Sequence, residues 1–513
     1  VYSDVPTKST FSESLIHGIF PVERKPAELQ TYANKKSMLD MMKEQFLPAV
    51  EVDLTHMMFV EEVMENILPD DRLGKFDERN VILGDENMNR IDPKTSVGYG
   101  LNGKKQDYLD YEQGKITANL LPFIIKFISD AINNTFNYDI YFNNLLKDEL
   151  RNINEEGEIK KPRVFSCGNL TLTVLYRIFL GRFFSNIMAE KWKNGIMVGI
   201  NPLGKDWNRL ARQHLNLNNT DNFTFDGDYA KWDKNMLAQF QRFLNKIVKK
   251  WFIATGQVSK VKVLLLEITG NSYSDLEILK VLDLLLEIII STPLITLDVV
   301  HIKSHGLPSG IAVTSFFNSL INKMYTAYVY SYLVKKNNPF GLNSQVLVSD
   351  FLNNIIDHVY GDDKLVSVKE EISSWFNAQS YKGVMDLLGI GFTPADKGEF
   401  KYKTQSLFNC TFLKRNFSQH YLLHTIVAPL EIRSMCSTLN YVKDDFRNLE
   451  LTVEKSKNFQ REAFLHNFNL YENFMSKLQN KLAESEIDVI FLKEPLLVDL
   501  YNKNLYGDYL ELS

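Results

Sequence analysis

Cysteine is scarce in this chain: Cys167, Cys410 and Cys436 are the only three in 513 residues, widely spaced, with no C-x-x-C pair. That pattern supports neither a zinc site nor a disulfide framework, and a reducing compartment is the simplest setting. The nine histidines form no H-x-x-x-H pair on a plausible helix. A long uninterrupted apolar run is also missing. The most apolar stretch, 281–297, is broken by Asp283, Glu287 and Pro293, so no direct membrane insertion is expected. There is no internal repeat and no low-complexity linker, which argues for subdomains that pack tightly rather than swing on tethers. The opening Val-Tyr-Ser-Asp is neither a signal peptide nor a transit peptide. Without an initiator Met, it suggests cleavage from a longer precursor or a trimmed start. Nor is there a surplus of positive charge. The net charge of −5 argues weakly against a nucleic-acid partner. Distribution matters more than the total, and Lys160, Lys161 and Arg163 form a local basic cluster.

What is present fits an ordinary globular chain with a large core: 45% hydrophobic residues, 24% charged, 34 Phe and 23 Tyr. At this length two or three packed subdomains are expected. Helical patterns run through 35–46, 55–68 and 107–133. From 141 to 166 the pattern becomes a long hairpin-like pair, with Glu156-Gly157 as its turn. A strongly apolar helix follows over about 170–192. Residues 222–228 read as a strand ending in an acidic residue. Met236, Phe240, Phe243, Leu244, Ile247 and Trp251 then fall at helical spacing, stopped by Gly256. A Pro- and Gly-bearing loop at 306–310 feeds a helix from 311 to about 335. Residues 355–368 form two short apolar runs joined at Gly361-Asp362, a tight hairpin. From Pro429, placed at a first helical turn, the chain reads as helical.

Three clusters carry chemistry. Tyr360-Gly361-Asp362-Asp363 sets two carboxylates side by side at a hairpin tip, where like charges raise each other's pKa. A divalent cation relieves that cost, and Mg²⁺ typically takes one or two carboxylates plus substrate phosphates. A solvated turn accounts for the triplet about equally well, since Gly and Asp are favoured turn residues. Asp228-Tyr-Ala-Lys-Trp-Asp233 follows the strand at 222–228. If the two strands lie side by side, Asp228 meets the hairpin tip, and the carboxylates can serve two metals about 3.5–4 Å apart. Asp233 also suits a helix N-cap. Finally, Ser309 and Gly310 in the loop precede Thr314 and Asn318, which share one helix face. Beside Asp233, those hydroxyl and amide groups could recognise a ribose 2′-hydroxyl, which both donates and accepts. The alternative is that small polar residues simply let this helix pack closely.

These runs resemble the RNA-dependent RNA polymerases of picorna-like positive-strand RNA viruses. The likeness rests on Asp228 to Asp233, on Pro308-Ser309-Gly310 with Thr314-Ser315 and Phe317-Asn318-Ser319, and on Tyr360 to Asp363. It continues in the family's order. Thr393-Pro-Ala-Asp-Lys397 is similar to the segment with the catalytic lysine, and Phe412-Leu413-Lys414-Arg415 to the primer-grip turn. Lys147-Asp-Glu-Leu-Arg151 with Lys161-Pro-Arg163 is similar to the basic fingers hairpin. Thr95-Ser96-Val-Gly98-Tyr99, with Gly103-Lys-Lys105, is similar to the template loop. Weaker similarity reaches Pro6-Thr-Lys8 and Pro26-Ala-Glu-Leu29.

The resemblance implies an α+β right-hand fold, with an antiparallel palm sheet and a helical thumb. Fingers are expected over 1–220 and 257–305, palm over 221–256 and 306–415, and thumb over 416–513. Asp228 and Asp362 would hold Mg²⁺ or Mn²⁺, with Asp363 in support. Lys397 would protonate the pyrophosphate leaving group. Lys147, Lys161 and Arg163 would clamp the triphosphate; otherwise they are a solvated strand face. Asp233, Ser309, Thr314 and Asn318 would select ribose. Thr95, Ser96, Gly310, Phe412, Leu413 and Lys414 would contact template and primer. The implied partners are an RNA template and primer, nucleoside triphosphates, a genome-linked protein primer and other viral replication proteins. The implied setting is the host cytoplasm, in membrane-associated replication complexes joined through partners. Two features depart from the pattern. The 258–300 stretch is longer than usual, as an insertion in the fingers would be, and the chain lacks the glycine terminus that picornaviral enzymes bury. Three rival readings are a reverse transcriptase, a non-catalytic RNA-binding scaffold and an acidic turn holding a structural cation. The first normally excludes the 2′-hydroxyl with a bulky side chain where this chain offers Asp233 and Asn318. The second should have lost metal ligands, and the third lacks a dense oxygen-ligand loop.

Overall fold

The computed structural model describes residues 9–44, 50–337, 346–395 and 397–508. Phe46, Pro6-Thr-Lys8 and Asp396 of the sequence reading lie outside these. Going along the chain, the elements that build the site begin with strands β1 (Phe142–Leu146) and β2 (Val164–Cys167) and helix α1 (Leu170–Ala189). Strand β3 (Thr224–Tyr229) precedes helices α2 (Ala238–Ala254), α3 (Gln257–Thr269) and α4 (Asp275–Ile290) and strands β4 (Pro293–Thr296) and β5 (Val299–Ile302). The long helix α5 (Thr314–Asn337) leads to strands β6 (Ile355–Tyr360) and β7 (Asp363–Val368), helix α6 (Ala378–Leu387) and strand β8 (Phe392–Thr393). Helices α7 (Asn448–Phe464), α8 (Phe468–Glu484) and α9 (Glu494–Asn502) close the chain.

Two four-stranded sheets organise the molecule. One runs β6-β7-β3-β8, antiparallel throughout; the other runs β5-β4-β1-β2, with β1 and β4 parallel. The first sheet has cores on both faces, so β7 is buried almost throughout and the period-2 rule sorts its residues. Leu365 points to one face, into a cluster with Met197, Trp207, Leu407 and Phe412. Val366 and Val368 point to the other, into the main core. There α5 and α6 pack against the sheet through Tyr325 and Tyr381. Gly227 faces that side as well. A Cβ there would lie 2.0 Å from the Phe392 ring, so the close approach of β8 to β3 requires glycine.

The 258–300 stretch is not an appended lobe. Helices α3 and α4 bury Val261, Leu264, Leu265, Leu282, Leu285 and Leu286 in the same core as α1 and α2, and β4 pairs with β1. Several local expectations change. The 107–133 helix is confined to Leu121–Asn133, because Gly114 at φ +69° closes a short hairpin ahead of it and Pro122 occupies its first turn. The apolar helix ends at Ala189, with a separate turn at Lys191–Asn194. Met236 precedes α2, and α5 begins at Thr314 rather than 311. Pro429 lies before the Ile432–Ser437 helix, its carbonyl accepting from Asn416 N–H. The 141–166 hairpin is real but compound: β1 pairs with β2, while Leu150–Asn152 turns away to pair with Arg24–Pro26.

The C-terminal helices form their own core around Phe459, Phe464, Phe474 and Leu478, and Ile16 and Phe20 from the start of the chain insert into it. Ser12–Glu13 pairs with Tyr441–Val442, and Asp148 accepts from Ser9 Oγ at 2.6 Å. The first described residues therefore tie the C-terminal helices to the basic hairpin.

Candidate active site

The register of the β6-β7-β3-β8 sheet brings the acidic motifs together. Lys364 pairs with Gly227 and Leu365 with Asp226, so the next step sets Asp363 opposite Asp228 on the same face. Tyr360 pairs with Asp363 across a two-residue turn. Gly361 has φ +63°, and Asp362 is not among the positive-φ residues, as in turns that put glycine first. Asp362 stands exposed at the tip and Asp363 is half-buried. Partial desolvation of its carboxylate raises the Asp362 pKa despite Arg163 and Lys414 nearby. For Asp363, burial, then the charge of Asp362, push the value up to about 7, with Lys414 pulling the other way. Two carboxylates held above their ordinary range, without a charge partner strong enough to restore it, form a cation-seeking pair.

On the far side of β3, Thr393 of β8 pairs with Asp228, and the turn after it returns Lys397, at φ +66°, so that Nζ donates to Asp228 Oδ2. Burial, then Lys414, lower the Lys397 pKa. Asp226, two residues before Asp228 on the same face, is satisfied by Thr411 N–H at 2.7 Å, Thr411 Oγ1 at 2.9 Å and Tyr402 O–H at 3.0 Å. It serves as a brace for the strand.

Asp233 is the second residue of the short Trp232–Asn235 turn, whose N-cap position is Lys231, so it does not cap a helix; its pKa is raised, chiefly by burial, with Asp362 adding to it and Arg163 opposing. The 306–310 loop docks on this turn through Leu307 N–H to Asp233 O at 2.8 Å, and Gly310 packs so tightly on Ser166 that a Cβ would lie 2.4 Å from its carbonyl. Of the expected ribose readers, Ser309 Oγ accepts from Ser166 N–H at 3.3 Å. Thr314 Oγ1 bonds the carbonyls of Pro308 and Ile311, both at 2.9 Å, so its hydroxyl shapes the loop. Asn318 Oδ1 is buried without a hydrogen-bond partner, the condition of an acceptor kept for a ligand.

The basic hairpin meets the acidic tip at Arg163, whose guanidinium also bridges both oxygens of Glu149 and is close enough to Asp233 and Asp362 to act on their charge. Lys147 and Arg151 flank the same Glu149, at 3.7 and 3.2 Å, while Lys161 is exposed beside them. Sequence spacing shows the basic residues but not that one acid gathers three of them. Phe412-Leu413-Lys414-Arg415 forms a tight turn, with Leu413 at φ +54° and Lys414 at φ +58°. Buried Phe412 and the Arg415–Glu462 pair, at 2.8 and 2.9 Å, hold that strained turn, and Lys414 lies near enough to act on Asp362 and Asp363. Thr95 and Ser96 lie in a loop anchored by Leu170 N–H donating to Val97 O at 2.8 Å. Lys105 is buried against that loop through Asp92 O at 3.1 Å and Thr95 Oγ1, so it is a strut there.

No three His, Cys, Asp or Glu side chains among the described residues form a metal cage. Mg²⁺ needs none, since one or two carboxylates suffice when phosphates and waters complete the shell. The donor set of Asp228, Asp362 and Asp363 is all carboxylate oxygen, which suits a hard cation such as Mg²⁺ or Mn²⁺.

The profile of viral RNA-dependent RNA polymerases matches residues 22–483. Cricket paralysis virus replicase polyprotein is 26% identical over 421 residues, covering 80% of this chain and 23% of that protein. Rice tungro spherical virus genome polyprotein is 25% identical over 424 residues, covering 79% of this chain and 11% of its own length. Broad bean wilt virus 2 RNA1 polyprotein is 27% identical over 443 residues, covering 82% and 22%. The chain thus spans less than a quarter of these relatives. Among solved structures, Sicinivirus 3Dpol RNA dependent RNA polymerase superposes with a TM-score of 0.76 at 18% identity, covering 98% of this chain and 97% of that one. This likeness shows the shared right-hand fold.

Proposed function

The chain belongs to the viral RNA-dependent RNA polymerases, and from that premise we propose that it extends an RNA primer along an RNA template by two-metal nucleotidyl transfer. The observation that carries this reading is the register that sets Asp228 beside the Asp362-Asp363 turn, with Lys397 against it. In the reaction the primer 3′-oxygen bonds to the α-phosphorus, the bond from that phosphorus to pyrophosphate breaks, and the hydroxyl proton leaves to solvent. Bound between these aspartates, Mg²⁺ or Mn²⁺ would acidify the attacking hydroxyl and steady the leaving oxygen.

The chain's own side chains supply the rest. Arg163, with Lys147 and Lys161 nearby, neutralises the triphosphate; to do so it exchanges one of its Glu149 contacts for phosphate oxygen. Asn318 offers its unpartnered carbonyl to the ribose hydroxyl, and Asp233 accepts beside it. Ser309 and Thr314 hold the loop that presents them. Lys397 turns from Asp228 to give its proton to pyrophosphate, a task suited to a lowered ammonium pKa. Lys414 and its strained turn steady the primer end, and Thr95 and Ser96 line the template path. Template binding is mostly backbone electrostatics and therefore salt-sensitive. Because its relatives are polyproteins, the chain works with other viral proteins in this reading, including a genome-linked primer. Through them it joins membrane-associated complexes in the host cytoplasm; no described helix is long and apolar enough to cross a membrane.

Ribonucleotide incorporation on a primed RNA template with Mg²⁺, with Asp362→Asn alongside, tests the reading. Extension by the native chain and a loss on the order of 10³-fold in the variant is the expected result. Equal extension by both would remove Asp362 from the site. Preference for deoxyribonucleotides would favour reverse transcription.

A further inference from the structure

The palm sheet fixes which residues face each other, but it does not by itself fix the spacing of the two aspartate-bearing elements. Asp228 lies near the end of β3 and Asp362 on a two-residue turn at the end of β6 and β7. The β7–β3 pairing stops at Lys364 and Gly227, one step short of Asp363 and Asp228, and chain ends fray unless something else holds them. The carboxylates must stay within about 0.5 Å of their working geometry to serve ions about 3.5–4 Å apart.

The side chain that reaches both elements is Asn322, fully buried on α5 behind the sheet. Its amide nitrogen donates to Gly361 O at 2.9 Å and to Asp363 O at 3.3 Å, the carbonyls on either side of Asp362. Its oxygen accepts from Tyr229 O–H at 3.1 Å, and Tyr229 is the residue after Asp228. Tyr229 in turn hydrogen-bonds Tyr381 of α6 at 2.8 Å. One turn earlier on α5, Ser319 Oγ accepts from Gly361 N–H at 2.8 Å, and its own proton goes to Ser315 O at 2.7 Å. Thr314, Asn318 and Asn322 follow at four-residue steps along the same helix. One helix thus carries the loop-shaping hydroxyl, the open ribose-facing acceptor and this clasp.

We propose that Asn322 is a positioning residue that clasps the Asp228 strand to the Asp362-Asp363 turn and so sets the spacing of the metal-binding carboxylates. The clasp needs two donors on one side and an acceptor on the other, which a primary amide supplies and a carboxylate of the same shape does not. Asn322→Asp would turn an acceptor against two carbonyl oxygens. Asn322→Ala would take the side-chain donor from Gly361 O and leave the Tyr229 hydroxyl with Tyr381 alone, in a buried place.

This inference rests on the polymerase reading, so its test includes metal binding measured without turnover. Mn²⁺ binding to the RNA-free protein would be followed by electron paramagnetic resonance, and primed extension titrated with Mg²⁺, for the native chain, Asn322→Ala, Tyr229→Phe and Ser319→Ala. Tyr229→Phe removes one hydroxyl and keeps the ring, so it covers the case in which Asn322→Ala does not fold. The expected result is Mn²⁺ affinity about tenfold weaker in Asn322→Ala and about threefold weaker in the other two. Maximal rate should fall about tenfold or more in Asn322→Ala, with the nucleotide KM within about twofold. Native-like Mn²⁺ affinity in folded Asn322→Ala, or in Tyr229→Phe and Ser319→Ala where that variant does not fold, would overturn the clasp. Failure of the native chain to extend RNA, with Mn²⁺ affinity still falling in the variants, would instead overturn the polymerase reading and leave the clasp standing.

Discussion

The two faces of the palm hairpin handle their carboxylates in opposite ways. On the front, Asp362 and Asp363 are held above their ordinary pKa with no ion pair among the described contacts. On the back, only five residues before the tip, Asp357 is buried between two lysines. Lys364 Nζ lies 3.2 Å from Asp357 Oδ1, and Lys323 Nζ lies 2.6 Å from its backbone carbonyl and 3.6 Å from Oδ2. Burial raises the Asp357 pKa, but the two lysines more than offset it and hold the group below its ordinary value. Front and back alternate along the same strands: Asp363 faces forward and Lys364 backward, Asp228 forward and Tyr229 backward. The difference teaches that a carboxylate set between lysines stays ionised even when buried, whereas one without an ion pair is pushed towards its neutral form unless a cation joins it.

The sharpest way to separate the faces is to neutralise one acid on each. Asp362→Asn should cost on the order of 10³-fold in extension and leave the thermal midpoint unchanged or higher. Asp357→Asn should do the reverse, destabilising the fold by about 3 kcal/mol because two lysines lose their counter-charge inside the protein. Chemical denaturation of both variants beside extension at low temperature reads this out. If Asp357→Asn loses activity without losing stability, the comparison between faces breaks.

A smaller effect should appear in the pH dependence of metal-free stability. The Asp363 carboxyl has its folded pKa raised to about 7, so ionising it opposes folding as pH rises from the usual carboxylate range through 7. Asp363→Asn should therefore be more stable than the native chain by about 1 kcal/mol at pH 8, with the advantage gone below about pH 4. For Asp357 the sign is opposite. Its contribution is present above the unfolded carboxylate pKa and fades as pH falls through its lower folded value, so the deficit of Asp357→Asn should shrink in acid.

The smallest effect concerns the histidine pair flanking the sheet. His214 Nε2 and His358 Nδ1 lie 2.7 Å apart, fully buried, and burial lowers the His358 pKa to about 3 and puts His214 well below its usual value. Between about pH 6.5 and 3 the unfolded chain takes protons that the folded one refuses, so stability falls as pH falls through that window. His358→Gln should flatten the acid slope of stability by about one proton. An unchanged slope would mean that another group carries the acid lability.

Much of the site was legible before the fold because its residues sit in short runs whose local geometry is set by neighbours. Gly361 before two aspartates demands a tight turn, and Thr314 and Asn318 must share a helix face. The helix over 107–133 was overdrawn because apolar spacing alone could not register the hairpin that Gly114 closes. The sequence could show that Lys147, Arg151 and Arg163 are basic, but not that Glu149 gathers them. It could show Thr314 near a loop, but not that its hydroxyl is spent on that loop. Asn322 did leave a trace, as the next step in the Thr314–Asn318 stripe. That trace carried no meaning until the turn it holds, some forty residues later, was seen to lie against it.

By itself, then, the sequence determined the order of the chemical groups, the α+β alternation and the viral RNA-dependent RNA polymerase kinship. These depend on residue type and on periods of two and 3.6, which are local properties of the chain. Only the tertiary structure decided which carboxylates gather at the front of the hairpin and which face lysines, which hydroxyls are already bonded, and which side chain bridges the Asp228 strand and the Asp362 turn. Those outcomes depend on strand register and helix docking, where one residue's shift exchanges the two faces of the sheet.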